Sequence, residues 1–343
     1  MAKESAANMA QEPTVRVVLA ADQPDNPHSP GNVAPDTVLQ DPVQVDSERV
    51  DDEGYDDSTS YENGRRYHAF REGIYVVPND EAEQERLDLV HHIYRLLIKG
   101  ELFLAPISAH PHRVLDLGTG TGIWAMDFAE QHPSAEVLGT DLSPIQPKWA
   151  PPNCIFEVDD FEQDWLYHKK FDYIHAREIA GCVSDPDQLV RRAFENLVPG
   201  GYFEIQTVYP RFVSDDGTHT KAVNAQLWIK SVCDGAAKFG KPLDLTKEWL
   251  GELKAAGFVD VHQEIRKLTI GAWPKDPALK EIGRYGLVQQ QQALEAYSPG
   301  ILSRISSWKD EEIQVLLAKV NEELKDPEIH IYHPIYFIWG RKP

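Results

Sequence analysis

The chain is 343 residues long, 42% hydrophobic and 26% charged, with a formal net charge of -21. That length supports one large core, or a core with an appended subdomain, and excludes three ordinary domains. The charge disfavours a nucleic-acid partner, because neutralising a phosphate backbone needs clustered Lys and Arg.

Residues 1–54 contain no Phe, Tyr or Trp, and the first sixty residues hold thirteen acids against three bases. Such a segment cannot bury enough apolar surface to offset its ordering entropy, so a disordered acidic tail is predicted. No apolar run reaches membrane-spanning length, and the N-terminus lacks the layout of a secretory signal. The expectation is a soluble protein of the cytoplasm or nucleus with no membrane partner. Cys154, Cys182 and Cys233 are odd in number and far apart, which indicates neither a disulfide framework nor a zinc site.

From Tyr55 the composition turns to aromatics and arginines, and Arg66, Tyr67 and His68 are candidates to fold over a ligand as a lid. A helix is predicted over 80–99, with Asp80 as N-cap, Gly100 at its end and Leu87, Val90, Ile93, Tyr94 and Leu97 on one face. Together these make an N-terminal lid segment, residues 55–110. His91 and His92 are adjacent and point differently, which favours packing over a metal site.

Strands then alternate with helices, as a parallel sheet requires. Strands are predicted at 113–116, 136–140, 155–158, 171–175 and 202–206, and helices near 122–131 and 186–197. Further helices near 220–239 and 246–256 precede a strand at 258–264, and a last strand covers 335–339. An α/β core thus spans 111–265, with its final strand in 334–343. Between the last two strands lies an insertion, 266–333, with helical patterns at 276–296 and 309–325. It is too long to be structureless and is predicted to cap the ligand edge of the sheet. The Gln289–Gln292 run within it reads as a solvated helix face.

One segment carries chemistry. Asp116 is followed by Leu117, Gly118, Thr119, Gly120, Thr121 and Gly122 between a strand and a helix. Alternating glycines let a backbone turn sharply and approach a ligand. A pyrophosphate loop wants glycine at 123, where this chain has Ile123, and no Gly-Lys-Ser/Thr follows, so phosphate binding and a dehydrogenase are disfavoured. An acid opening the loop suits a cationic ligand. Asp141 ends the second strand where a carboxylate reaches ribose hydroxyls, and Asp159, Asp160 and Phe161 end the third, where an acid and a ring suit an adenine. The three strand ends together outline a cradle for a cationic nucleoside, bound through Asp116, Gly118, Thr119, Gly120, Gly122, Asp141, Asp159, Asp160 and Phe161, with Tyr67 from the lid.

The stretches YENGRRYHAF, PNDEAEQERLDLVHH, VLDLGTGTGIWAMDFAEQHPSAEVLGTDLSPIQP, FDYIHAREIAG, LVPGGYFEIQ and HPIYFIWGRKP resemble the LaeA-like fungal methyltransferases, over about four-fifths of the chain. The resemblance implies a Rossmann-like class I methyltransferase fold, a seven-stranded, mostly parallel sheet whose final strand is antiparallel, and S-adenosylmethionine as cofactor. It implies either an enzyme acting on a small secondary metabolite or a regulator of secondary metabolism working through protein partners. In such a fold His175 and Arg177, after the fourth strand, stand beside the transferring methyl group and at the cofactor. His175 is then the candidate base, or else a satisfied core histidine, and Arg177 would orient a carboxylate or phenolate acceptor.

Overall fold

The computed structural model describes residues 16–17, 59–62, 65–68 and 78–343, with side chains at Arg65, Arg66 and from Pro78 onward. The predicted tail therefore falls almost wholly outside the described residues, as does the side chain of Tyr67. Within the described part, Arg16–Val17 (β1) pairs in parallel with Glu264 and Ile265.

A two-stranded hairpin, Thr59–Glu62 (β2) and Arg65–His68 (β3), leads to helix Glu81–Leu97 (α1). Asp80 caps that helix by accepting a hydrogen bond from the Glu83 amide at 3.1 Å, and Arg65 pairs with the same carboxylate. Arg66 bonds Glu81 at 2.8 Å and the Asn79 carbonyl at 2.9 Å. The hairpin is thus fastened to the start of α1.

Strand Arg113–Leu117 (β4), helix Ile123–Gln131 (α2), and strands Glu136–Asp141 (β5), Cys154–Val158 (β6) and Phe171–Arg177 (β7) follow. Helix Pro186–Asn196 (α3), strand Leu197–Val208 (β8), and helices Val223–Phe239 (α4) and Trp249–Ala255 (α5) come next. The chain closes with strand Val259–Thr269 (β9), helices Pro277–Ser298 (α6) and Asp310–Lys325 (α7), and strand Tyr332–Arg341 (β10). The sheet order is β1-β9-β10-β8-β7-β4-β5-β6. Strands β6, β5, β4, β7 and β8 are parallel, and β10 runs antiparallel to β8 and β9. This is the predicted seven-stranded sheet, with two-residue β1 added at one edge.

Alternation along the strands divides the interior. Val114, Tyr173 and Phe337 pack with α1 and α2, whereas Leu115, Leu117, Ile174 and Ile338 pack with α3 and α5. Each large side chain so buried stabilises the fold by roughly 1.5–3 kcal/mol. Among the described residues β6 has no second neighbour, and its Ile155 is 62% exposed.

A third cluster joins α4 to α6, α7 and the π-helical turn Pro299–Ile305. α6 crosses the end of β9 at Gly283 and Gly286, where a Cβ would collide with the Gly271 and Thr269 carbonyl oxygens. Three boundaries differ from expectation. β9 runs on to Thr269 and β10 starts at Tyr332, because each gives the other an antiparallel partner, so residues 266–269 and 332–333 are sheet and not insertion. β8 begins at Leu197, which pairs with Phe171 across a register shift, and Pro199–Gly201 lie within it.

Candidate functional site

β4 and β7 are neighbours whose crossovers leave in opposite directions along the sheet, so a crevice opens at their carboxyl ends. The glycine loop fills it. Gly118, Gly120 and Gly122 have φ of 64°, 59° and 81°, and a Cβ at Gly122 would lie 2.5 Å from the Phe156 ring. Thr119 Oγ1 donates to Asp116 Oδ2 at 2.6 Å, and the Gly120 amide donates to Asp141 Oδ2 at 2.8 Å. The other Asp141 oxygen accepts from the Ser143 amide at 2.9 Å. The acids therefore hold the loop in shape through these bonds.

His175 is the register partner of Asp116, and its Nδ1 lies 2.7 Å from Asp116 Oδ1. The imidazole is 0% exposed and stacks on Trp124, with ring centroids 3.7 Å apart and planes within 5°. Burial holds its pKa below the ordinary histidine value, against the opposing pull of Asp116. A neutral ring with Nδ1–H donating to Asp116 fits both facts.

Two hollows open along this crevice. One, of about 410 Å³, is lined by Asp116, Gly118, Thr119, His175 and Arg177. The other, of about 840 Å³, is lined by Gly118, Gly120, Asp141, Asp160, Phe161 and Arg177. Asp159 lines neither hollow; its carboxylate accepts from the Asp160 amide at 2.8 Å. Arg177 donates to His91 Nδ1 at 3.2 Å, while His91 Nε2 lies 3.0 Å from Asp127. Burial, reinforced by Arg177, keeps His91 below its usual pKa, although the bond to Asp127 opposes this. Arg66, predicted in the lid, is engaged by Asn79 and Glu81. Among the described residues no group of three or more His, Cys, Asp or Glu side chains could hold a metal ion.

A third hollow, of about 970 Å³, lies between α1, α4 and α6. Trp228, Ile229 and Val232 of α4 and Ala293 and Tyr297 of α6 form much of its wall. Leu87 and Glu178 line all three hollows, so the crevice and the cavity meet there. Glu178 has a left-handed φ of 55°, and its Oε1 accepts from the Tyr94 hydroxyl and, at 2.8 Å, from the Val208 amide.

Glu178 lies in the stretch FDYIHAREIAG, where no local pattern marks it; only the meeting of three hollows singles it out. The glutamine run corrects the expectation of a solvated face. Gln290 is buried with its side chain 3.0 Å from His333 Nε2, Gln289 lines the cavity, and Gln291 bonds Asn321 at 2.9 Å. That face is turned inward because α6 packs onto β9 and α4.

Comparison with known proteins agrees in kind. Residues 89–263 match the family described as a methyltransferase domain. Methyltransferase pytC of Aspergillus terreus is 38% identical over 284 residues, covering 82% of this chain and 88% of that one. Secondary metabolism regulator LAE1 of Cochliobolus heterostrophus is 35% identical, covering 83% and 95%. Protein-methionine methyltransferase laeA of Emericella nidulans is also 35% identical, covering 82% and 76%.

Proposed function

Since the chain belongs to the methyltransferase-domain family, as a LaeA-like fungal methyltransferase, we propose that it methylates a small secondary metabolite held in the cavity under α6. It is an S-adenosylmethionine-dependent methyltransferase. The observation that carries the small-molecule reading is the junction: Leu87 and Glu178 border both the donor crevice and a largely apolar cavity. Donor and acceptor held in line and away from water need little further help from the protein.

The residues present fit the cofactor. Gly118 and Gly120 leave its crevice clear of side chains, and three acids suit a ligand rich in hydroxyl and amino donors. Asp141 would accept from the ribose hydroxyls, Asp160 from the adenine amino group with Phe161 against the ring, and Asp116 from the ammonium. Arg177 borders the donor hollows and not the cavity, so its role would be to meet the donor carboxylate. When bound, S-adenosylmethionine supplies an activated methyl group on a sulfonium. His175 has no exposed surface, so we assign it the positioning of Asp116 in place of proton transfer.

Residues 111–265 with the last strand form the donor-binding core in this reading, residues 55–110 the lid segment and the helices of 266–333 the cap. α4 joins that cap. Calorimetry should show binding of S-adenosylmethionine and S-adenosylhomocysteine, and labelled donor should pass its methyl to a metabolite in an extract. Donor binding without transfer to any fraction would favour a second reading. The likeness to relatives that carry the regulator name, LAE1 of Cochliobolus heterostrophus among them, supports a chain that works by docking to protein partners. Deleting residues 1–54 tests whether an acidic tail takes part: unchanged partner capture would remove it. No nucleic acid or membrane partner is proposed, and the compartment proposed is the cytoplasm or nucleus. Among the described residues no helix is long and apolar enough to cross a membrane.

A further inference from the structure

We propose that Glu178 is the proton acceptor for a largely apolar acceptor bearing a phenol-like or enol-like hydroxyl, so that the cavity is an oxygen-methylating site. The inference rests on the methyl-transfer reading above and adds to it the residue and the acceptor class.

Three observations converge. Both hydrogen bonds to Glu178 fall on Oε1, one from the Tyr94 hydroxyl and one from the Val208 amide, which leaves Oε2 without a partner among the described residues. The residue sits where the donor crevice opens into the cavity, and its left-handed backbone, a conformation costly for a side-chain-bearing residue, sets it off from the line of β7. Among the described residues it is also the only carboxylate lining the cavity. Burial raises its pKa above the ordinary carboxylate value, which makes it a better base than a solvated acid.

Of the other titratable groups of the cavity, His333 and Arg86 are committed elsewhere. His333 is held by the Arg211 carbonyl at 2.9 Å and by the Gln290 side chain, and burial lowers its pKa to about 4, so it remains neutral and fixed. Arg86 is paired with Glu83 at 2.6 Å. Tyr297 belongs to the cap; its pKa is pushed up to about 12 by burial, and its hydroxyl has no partner among the described residues. It is therefore available to hydrogen-bond the acceptor.

The walls decide the chemical class. Trp228, Ile229, Val232, Ala293 and Ile335 supply an apolar chamber, while Glu178 and Tyr297 supply polar atoms. Arg86 and Arg177 both raise the local potential at Glu178, which penalises an ammonium acceptor and favours a neutral hydroxyl that ionises toward an oxyanion. In the transfer the hydroxyl proton passes to Glu178 Oε2 and an oxygen electron pair forms the bond to the methyl carbon. The carbon–sulfur bond breaks with its pair going to sulfur, leaving a neutral thioether and an ether product.

The test uses the full chain loaded with S-adenosylhomocysteine and two probes, 2-naphthol and 2-methoxynaphthalene, which differ by the hydroxyl proton. The wild type should bind 2-naphthol at least tenfold more tightly than the ether, and its naphthol absorbance should shift toward the naphtholate band. Glu178→Gln should reduce the preference to below about twofold and abolish the band shift, at unchanged melting temperature. Should that variant not fold, Glu178→Asp, which keeps the charge but withdraws the carboxylate, should give the same loss. Equal affinities in the wild type, or a preference that survives substitution, would overturn the proposal. A wild type that does not bind S-adenosylhomocysteine would instead bring down the methyl-transfer reading beneath it.

Discussion

Asp116 and His175 face one another across β4 and β7 at 2.7 Å, and neither has appreciable exposure. A carboxylate that tethers the glycine loop through Thr119 is thereby held from behind by an imidazole clamped flat on Trp124. His175→Phe keeps the stacking and deletes the donor to Asp116. The loss of one hydrogen bond to a buried carboxylate should destabilise the chain by about 2–3 kcal/mol in urea unfolding. Affinity for S-adenosylhomocysteine should fall, while any transfer activity should keep its dependence on a basic group. Loss of that pH dependence at unchanged donor affinity would show His175 to be the base.

Asp141 ties the loop to the end of β5 through the Gly120 amide. Asp141→Asn weakens a charge-assisted bond and removes an acceptor from the donor crevice. Calorimetry with S-adenosylhomocysteine should show affinity reduced roughly tenfold or more, the worth of a hydrogen bond to a charged group. An unaltered dissociation constant would take Asp141 out of the binding site.

Gly122 combines a left-handed φ with a ring in the space a Cβ would need. Gly122→Ala should cost about 1–3 kcal/mol of stability, read from the urea midpoint. Adding Phe156→Leu should recover part of the loss, because it clears the collision but not the backbone strain. No recovery would place the whole cost in the backbone.

Glu204 is fully buried, accepts from the Leu104 and Ala105 amides, and has its pKa raised by burial to about 7. Its folded-state pKa lies above the unfolded value, so between about pH 4.5 and 7 the native state binds the extra proton and stability falls as pH rises. Glu204→Gln should remove that slope, amounting to no more than about 3 kcal/mol across the window. His333, whose pKa is lowered to about 4, contributes a slope of opposite sign, stability rising as pH increases toward the unfolded histidine value. The readout is therefore the difference between wild type and variant in urea titrations from pH 5 to 8. A difference independent of pH would show that Glu204 is ionised throughout.

Much of this molecule is written locally. Asp80 and Gly100 bracket α1, the three glycines announce the turn after β4, and the acids at 141 and 160 stand at strand ends. These signals work because capping and left-handed turns depend on a few neighbouring residues. What escaped depends on distant partners. Glu178 gains meaning from Tyr94 and from the helices that enclose the cavity, and Gln290 from His333, 43 positions away. The inward face of the glutamine run and the extension of β9 were hidden for the same reason: polarity along one segment does not reveal which surface will cover it.

Helix α1 is a wall common to two rooms. Glu83 looks into the crevice beside the glycine loop and Arg86 into the apolar cavity, joined to each other at 2.6 Å, with Leu87 touching both spaces. Any tilt of this one rod reshapes the two compartments together, and the hairpin fastened at Asp80 resists such a tilt. Whatever the filling of one room does to the helix is felt in the other by the same factor in both directions, which is thermodynamic reciprocity built from a partition.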